Sequence, residues 1–232
     1  MDTFDIASFN LHCHKNDPVK RVKILARELA KKDFDVIALQ EVCVTPDLNI
    51  KKLLINELFK NSYYVRSQNS VFTHMSWGIY EEELFILSKH KASDQDYGDL
   101  PTSPLNRSFV SLTIGEVNIV NTHLSHISSE YRRDQINFLV KKYKDTNSIL
   151  VGDFNSSPTK VEHMGLHMNN FTPTFPGNTY PASRPTFIYD GFWQSQAIAK
   201  KFQTIDQGLL FNQRFEGYYL SDHLGVYAKL SK

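Results

Sequence analysis

The stretch ILVGDFNSSP, residues 149–158, decides how the chain is read. Its apolar residues run without alternation from Ile149 to Val151. That is the pattern of a strand covered on both faces, as in a parallel or mixed sheet. The run ends on Gly152, where the chain is expected to turn, and then on Asp153 and Asn155 either side of Phe154. Side chains two apart on a strand share a face. Asp153 and Asn155 are therefore expected to point one way and Phe154 into the core. An acid and an amide at the end of a buried strand are either a turn or part of a working site, and the other strand ends discriminate.

Similar runs recur along the chain: FDIASFNL (4–11), DVIALQE (35–41), ELFILSK (83–89), FVSLTI (109–114), VNIVNTHL (117–124), TIDQGLLF (204–211) and GVYAKL (225–230). Helical periods separate some of them. Asp17-Pro18 reads as an N-cap with proline at the first helical position, ahead of Val22, Leu25, Ala26 and Leu29. Thr45-Pro46 repeats the signal before Leu53, Leu54 and Leu58, and Ile136, Leu139, Val140 and Tyr143 form a third stripe after Ser128. Between 83 and 124 the strands follow one another directly, with Gly115-Glu116 as a tight turn. Crossovers mixed with hairpins predict a mixed sheet, or two packed sheets with helices outside.

The totals narrow the function classes. At 232 residues with no repeat or obvious linker, one domain spanning 1–232 is the simplest organisation. The net charge of +1 gives no bulk argument for nucleic acid or a membrane surface. Cys13 and Cys43 have no metal-ligand spacing and cannot make a disulfide framework. With no apolar leader and no run long enough to span a bilayer, a cytoplasmic location without stable membrane insertion is expected. No protein partner is implied.

The polar residues fall at strand ends. Asn10 closes the first strand, Gln40 and Glu41 the second, His123 another, and Asp222-His223 precede the last. Open sheets gather ligand sites outside one set of strand ends. Carboxylates, amides and imidazoles without cysteine suit magnesium or manganese. Such a set can hydrolyse a phosphate ester: a hard cation neutralises the phosphoryl oxygens, a carboxylate activates water, and amide and imidazole groups stabilise the developing charge. No nucleophile elbow and no P-loop is present.

In order, SFN, ALQE, NTHL, GDFN, TIDQGLLF and LSDH resemble the motifs of the endonuclease/exonuclease/phosphatase superfamily, over essentially the whole chain. The resemblance implies a DNase I-like α/β fold, a four-layer sandwich of two mixed sheets flanked by helices, and a Mg2+ cofactor, with Mn2+ as a substitute. It implies Glu41 as the principal metal ligand, with Asn10 and Asp222 near the metal. Asp153 would position the water, Asn155 would contact the phosphate, and His223 would face the scissile group. Asp206 matches the aspartate that orients that histidine. His123 matches a second phosphate-facing histidine, whose acidic partner is Glu82, with Glu81 and Glu83 competing. Arg107 matches an arginine that reaches a phosphate.

Departures are visible. His12 stands where several DNA-repair relatives carry an acid, Gln207 replaces an aromatic, and 182–203 fits no pattern. His12, His14, His126, His163 and His167 are read as surface or pocket rim, and EYRRDQ (130–135) as a solvated helix face. Phe175, Tyr180, Phe187, Tyr189, Phe192 and Trp193 are read as a substrate wall rather than a small satellite core. The near-neutral charge leans the substrate towards a small or lipid-like phosphoester, with a DNA or RNA nuclease as the alternative and a non-catalytic binding module as the reading from another class.

Overall fold

The computed structural model describes residues 2–12, 17–44, 50–58, 63–66, 70–74, 78–101 and 104–232. The first sheet contains β1 (Thr3–Asn10), β2 (Val36–Val44), β3 (Tyr63–Arg66), β4 (Ser70–His74), β5 (Gly78–Ser88), β12 (Gln203–Leu210) and β13 (Gly225–Ser231). Its order is β12-β13-β1-β2-β5-β3, with β4 also on β5. The second contains β6 (Asp94–Asp99), β7 (Ser108–Ile114), β8 (Val117–His123), β9 (Ser148–Asp153), β10 (Thr172–Thr174) and β11 (Asp190–Gln194), in the order β10-β11-β9-β8-β7-β6.

Each sheet has one parallel pair at its heart. β1 runs beside β2 through the crossover helix α1 (Pro18–Ala30), and β8 beside β9 through α3 (Ser129–Tyr143). The remaining pairs are antiparallel, so both sheets are mixed. Asp17 caps α1 by accepting from the Lys20 amide at 3.2 Å, and Ser128 caps α3 by accepting from Tyr131 at 3.1 Å. α2 (Ile50–Leu58) follows β2, while its Thr45-Pro46 start signal lies outside the described residues. α4 (Met164–Met168) and α5 (Gln196–Ala199) are single turns that the periodicity did not indicate.

The unalternating strands are explained by the layers. On β1, Phe4 and Ile6 pack between the sheets with Val36, Ile86, Val110, Ile119, Ile149 and Val151. Ala7 and Phe9 face the opposite way, against Val22, Leu25 and Leu29 of α1. On the far side Val120, Leu150 and Trp193 meet Ile136, Leu139 and Val140 of α3. Helices, sheet, sheet and helices make the expected α/β sandwich.

Two readings of the opening stretch need correction. Gly152 is not a turn residue. It lies inside β9 at φ +140°, and a Cβ there would sit 2.0 Å from the Thr122 carbonyl oxygen, so glycine is required by the close approach of β8. Asn155 lies beyond the strand in a left-handed conformation, φ 51°, so strand alternation does not aim it. Phe154 is fully buried against Trp193 and its neighbours, as read.

The turn at Gly115 closes β7 onto β8 with Ile114 opposite Val117. Cys43 is buried and disulfide-bonded. No helix among the described residues is long and apolar enough to cross a membrane.

Candidate active site

The parallel pairs bring the working residues level. Asn10 pairs with Gln40 across β1/β2, and His123 with Asp153 across β8/β9. Asp190 pairs with Asp153 across β9/β11. His123, Asp153 and Asp190 thus stand on three neighbouring strands at one edge of the second sheet. They are buried, and with Glu41, Glu82, Arg107, His126, Asn155, Tyr180, Tyr189, Asp222 and His223 most of this edge lines one cavity of about 510 Å3.

Glu41 reaches this cavity through a defect in its strand. The β2/β5 register shifts by one residue between Leu39 and Val42, and Glu41 has φ 51°. A β-bulge of this kind re-aims a side chain. The neighbouring Gln40 does a different job. Its Nε2 donates to Asn121 Oδ1 at 2.7 Å and to Ser8 Oγ at 3.1 Å, and Asn121 Nδ2 donates to the Leu39 and Phe85 carbonyls at 2.8 and 3.1 Å. This buried amide network joins the two sheets directly beneath the bulge.

Asp153 is the hub. Its Oδ1 accepts from the Asn155 amide at 2.8 Å and its Oδ2 from Asn10 Nδ2 at 3.0 Å. The same Asn10 nitrogen donates to Glu41 Oε1 at 3.0 Å, so one amide bridges the two carboxylates. His123 Nε2 and His223 Nε2 both face Asp153 Oδ2, at 3.5 and 3.6 Å. Burial pushes the Asp153 carboxyl up from its ordinary range, and the Asp190 charge adds to this, while His223 opposes it. Asn155 Nδ2 donates to the Leu124 carbonyl at 2.9 Å and its side chain lines the cavity.

His223 Nδ1 donates to Asp190 Oδ2 at 2.8 Å, both groups being buried. Burial works against the charged ring, but the Asp190 and Asp153 carboxylates outweigh it and push the imidazole up to about 10. Asp206 does not play this part. It lies on β12 at the edge of the other sheet, with an exposed side chain that accepts from the Tyr227 hydroxyl at 3.1 Å. The orienting acid was missed because Asp190 sits in the unassigned segment 182–203. Its signal was available: in YDGFWQ, as in GDF, an acid abuts an apolar strand.

The histidine on β8 also differs from expectation. Its Nδ1 accepts from Arg107 Nη1 at 3.0 Å and its Nε2 faces Asp153, so Glu82 does not orient it. Glu82 lies on β5 in the other sheet, opposite Cys43. Burial pushes its carboxyl up and the nearby Glu41 charge pushes it further, with Arg107 opposing. His123 is driven well down, by burial first and by the Arg107 charge second. Arg107 also meets His126 Nδ1 at 3.3 Å, which brings His126 into the cavity wall. His12 likewise reaches the site: its Nδ1 lies 3.1 Å from Asp222 Oδ1 and its amide donates to Asn10 Oδ1 at 3.0 Å. Burial raises the Asp222 carboxyl, but the His12 hydrogen bond and the His223 charge prevail and hold it low. His14 lies outside the described residues.

The expected aromatic wall divides in two. Phe175 and Trp193 pack with Phe154 and His163 in a satellite core, and Phe192 between the sheets. Tyr180 and Tyr189 line the cavity. In α3, Arg132 is no solvated charge: its Nε and Nη2 both donate to Glu162 Oε1, at 3.0 and 2.9 Å.

Two groups of side chains could hold a cation. Asp153, Asp190 and His223 offer ligand atoms within 4.8 Å of one another. There, however, the imidazole already shares its proton with Asp190. Glu41, Glu82 and Asp222 line the same cavity as carboxylates, and the Asn10 amide bonded to Glu41 carries a further oxygen. Two carboxylates close enough to disfavour each other's charge, as Glu41 does Glu82, are what a hard divalent cation relieves. The residues present therefore fit a divalent metal.

The chain belongs to the endonuclease/exonuclease/phosphatase family, whose model matches residues 7–196. That membership supports a phosphoesterase- or nuclease-like function. Solved structures share the fold at low identity. A family protein from Leptotrichia buccalis is 20% identical with a TM-score of 0.78, over 99% of this chain and 100% of that one. A functionally unknown conserved protein from Enterococcus faecalis is 18% identical with a TM-score of 0.77, over 98% and 99%. TDP2 of D. rerio, humanised by 14 mutations, is 18% identical with a TM-score of 0.76, over 99% of each chain. No curated protein matches the chain.

Proposed function

We propose that residues 1–232 form a single domain that hydrolyses phosphate esters with Mg2+, by in-line attack of water and without a covalent intermediate. The observation that carries this reading is Asp153: one buried carboxylate held by Asn10, with two imidazoles facing it and Glu41 bridged to it through the same amide. Glu41, Asn10 and Asp222 would hold the metal, for which Mn2+ could substitute, and His12 fixes Asp222. The bound cation would supply neutralisation of charge on the phosphoryl oxygens.

The chain's own groups divide the rest of the work. Asp153 takes the proton of the attacking water, a role helped by its raised proton affinity. His223 is kept protonated by Asp190 and donates to a phosphoryl oxygen as charge develops there. Neutral His123, held in one tautomer by Arg107, offers its Nε2–H, and Asn155 and Arg107 contact the phosphate. A cytoplasmic location belongs to the same proposal.

A panel of bis-p-nitrophenyl phosphate, sphingomyelin, inositol phosphates, plasmid DNA and single-stranded oligonucleotides tests this with magnesium or manganese, with and without EDTA. Turnover that EDTA abolishes and Asp153→Asn removes is the expected result. A protein that neither binds magnesium by titration calorimetry nor turns over any ester is instead the binding module. Of the substrates expected from charge, the lipid-like one is not favoured by the cavity wall, where Leu105 is the only aliphatic side chain among the described residues.

A further inference from the structure

A row of rings leads outward from the His223 imidazole. Tyr180 lies against His223 with centroids 4.8 Å apart. Tyr189 stacks on Tyr180 at 5.4 Å and 21°. Phe187 stacks on Tyr189 at 5.5 Å and 16°, and is 51% exposed. Single exposed apolar residues are ordinary. This one is the open end of a stack whose other end touches the candidate phosphate site.

The loop that carries the row is built rather than draped. The Thr179 and Phe187 amides donate to the Phe187 and Tyr180 carbonyls at 2.7 and 2.9 Å, so the loop closes on itself. Thr179 Oγ1 accepts from the Tyr189 and Asp190 amides at 3.2 and 3.3 Å. The Ala182 amide donates to the Asp222 carbonyl at 2.6 Å and the Leu224 amide to that of Thr179 at 2.8 Å. The platform is therefore pinned to both sides of the Asp222-His223 pair, and a ligand that uses it has little loop entropy to overcome.

The same chemistry continues past Asp222. A second cavity, of about 540 Å3, meets the first at that residue. In its wall the Arg214 guanidinium lies 5.4 Å from the Tyr219 centroid, and Lys20, from outside that wall, sits 4.8 Å above the ring of the lining Tyr218. Aromatic faces interleaved with cations suit planar rings joined by anionic phosphates. Among the described residues, the aliphatic lining that an acyl chain would need is scarce in both cavities.

Resting on the hydrolase reading above, we propose that Tyr180, Tyr189 and Phe187 form a stacking subsite for a planar ring carried by the phosphoester. The substrate is then an ester of a nucleoside or of an aryl alcohol, and not of an acyl-chain lipid. The test uses Asp153→Asn protein with magnesium, which binds without turnover, and an oligonucleotide containing 2-aminopurine, whose fluorescence is quenched by stacking. Quenching is expected, and adding Phe187→Ala should weaken it on the order of tenfold in affinity, as loss of one base–aromatic stack implies; Phe187→Tyr should retain it.

No quenching, or the same affinity in the Phe187→Ala protein, overturns the subsite. Competitors separate the two ring sources: displacement by an unlabelled oligonucleotide but not by its abasic counterpart marks a nucleoside ester, and displacement by p-nitrophenyl phosphate alone marks an aryl ester. Displacement by sphingomyelin micelles as effective as either overturns the proposal. Quenching in a protein whose wild type turns over nothing leaves the subsite standing and removes the hydrolase reading, whereas turnover without quenching does the reverse.

Discussion

The His223 imidazole and the Asp190 carboxylate, joined by a 2.8 Å hydrogen bond from Nδ1 to Oδ2, are both buried and come from different sheets' strand ends. Asp190 fixes which nitrogen of His223 faces Asp153 and keeps the ring charged. Asp190→Asn is expected to lower kcat about 10- to 100-fold, the usual cost of losing an orienting partner, with little change in KM. Asp206→Asn, at an exposed edge position, should leave both constants unchanged. Steady-state kinetics on the two variants decide the assignment: equal activity of wild type and Asp190→Asn would return the role to another group.

What the sequence disclosed and what it hid follow from range. The motifs at Asn10, Glu41, Asp153 and Asp222-His223 sit at the ends of long apolar runs, and those runs became β1, β2, β9 and the approach to β13. The two-sided burial that made them legible also fixed the layers. Asp190 escaped because β11 is only five residues long and pairs with β9 across residues 154–189, whose elements, α4 and β10 among them, are all short. The bulge at Glu41 and the Gln40–Asn121 network escaped for another reason: a register shift and a contact between sheets have no local period. Asp206 was misplaced because an acid in an apolar run looks buried, while an edge strand lets it face solvent.

The Glu41 bulge bears on metal binding. Magnesium that binds only the folded protein raises its stability by mass action. The wild-type melting temperature should therefore rise with millimolar magnesium. In Glu41→Gln the rise should be largely lost, together with most of the activity, while the metal-free melting temperature stays close to that of wild type. Differential scanning fluorimetry with and without EDTA reads this. An undiminished magnesium shift in Glu41→Gln would remove that residue from the ligand set.

The buried Gln40–Asn121 pair joins the sheets through three hydrogen bonds, one from Gln40 Nε2 and two from Asn121 Nδ2. Removing one partner leaves the others buried and unsatisfied, at about 1–3 kcal/mol for each orphaned group. Asn121→Ala should lower the unfolding free energy measured by urea denaturation by an amount in that range. It should also lower kcat, because Leu39, whose carbonyl accepts from Asn121, precedes the bulge that aims Glu41. A destabilised variant with unaltered kcat would show that the network supports the sandwich without positioning the bulge.

His163 predicts an acid limit to stability that is separate from the site. Its ring is buried, stacked on Trp193 at 5.5 Å and bonded through Nε2 to Ser156 Oγ at 2.8 Å. Burial pushes its pKa down to about 4, although Glu162 beside it pulls the other way. Unfolded, the same ring titrates near about 6.5. The folded protein thus binds fewer protons than the unfolded chain between these values. The stability contributed by the neutral ring is complete above the unfolded value and is lost as pH falls towards 4, at about 1.4 kcal/mol per pH unit. Urea unfolding at pH 7 and at pH 4.5 should show His163→Gln less stable than wild type at the higher pH and less sensitive to acid. If the variant loses stability between the two pH values as steeply as wild type, His163 is not the group that sets this limit.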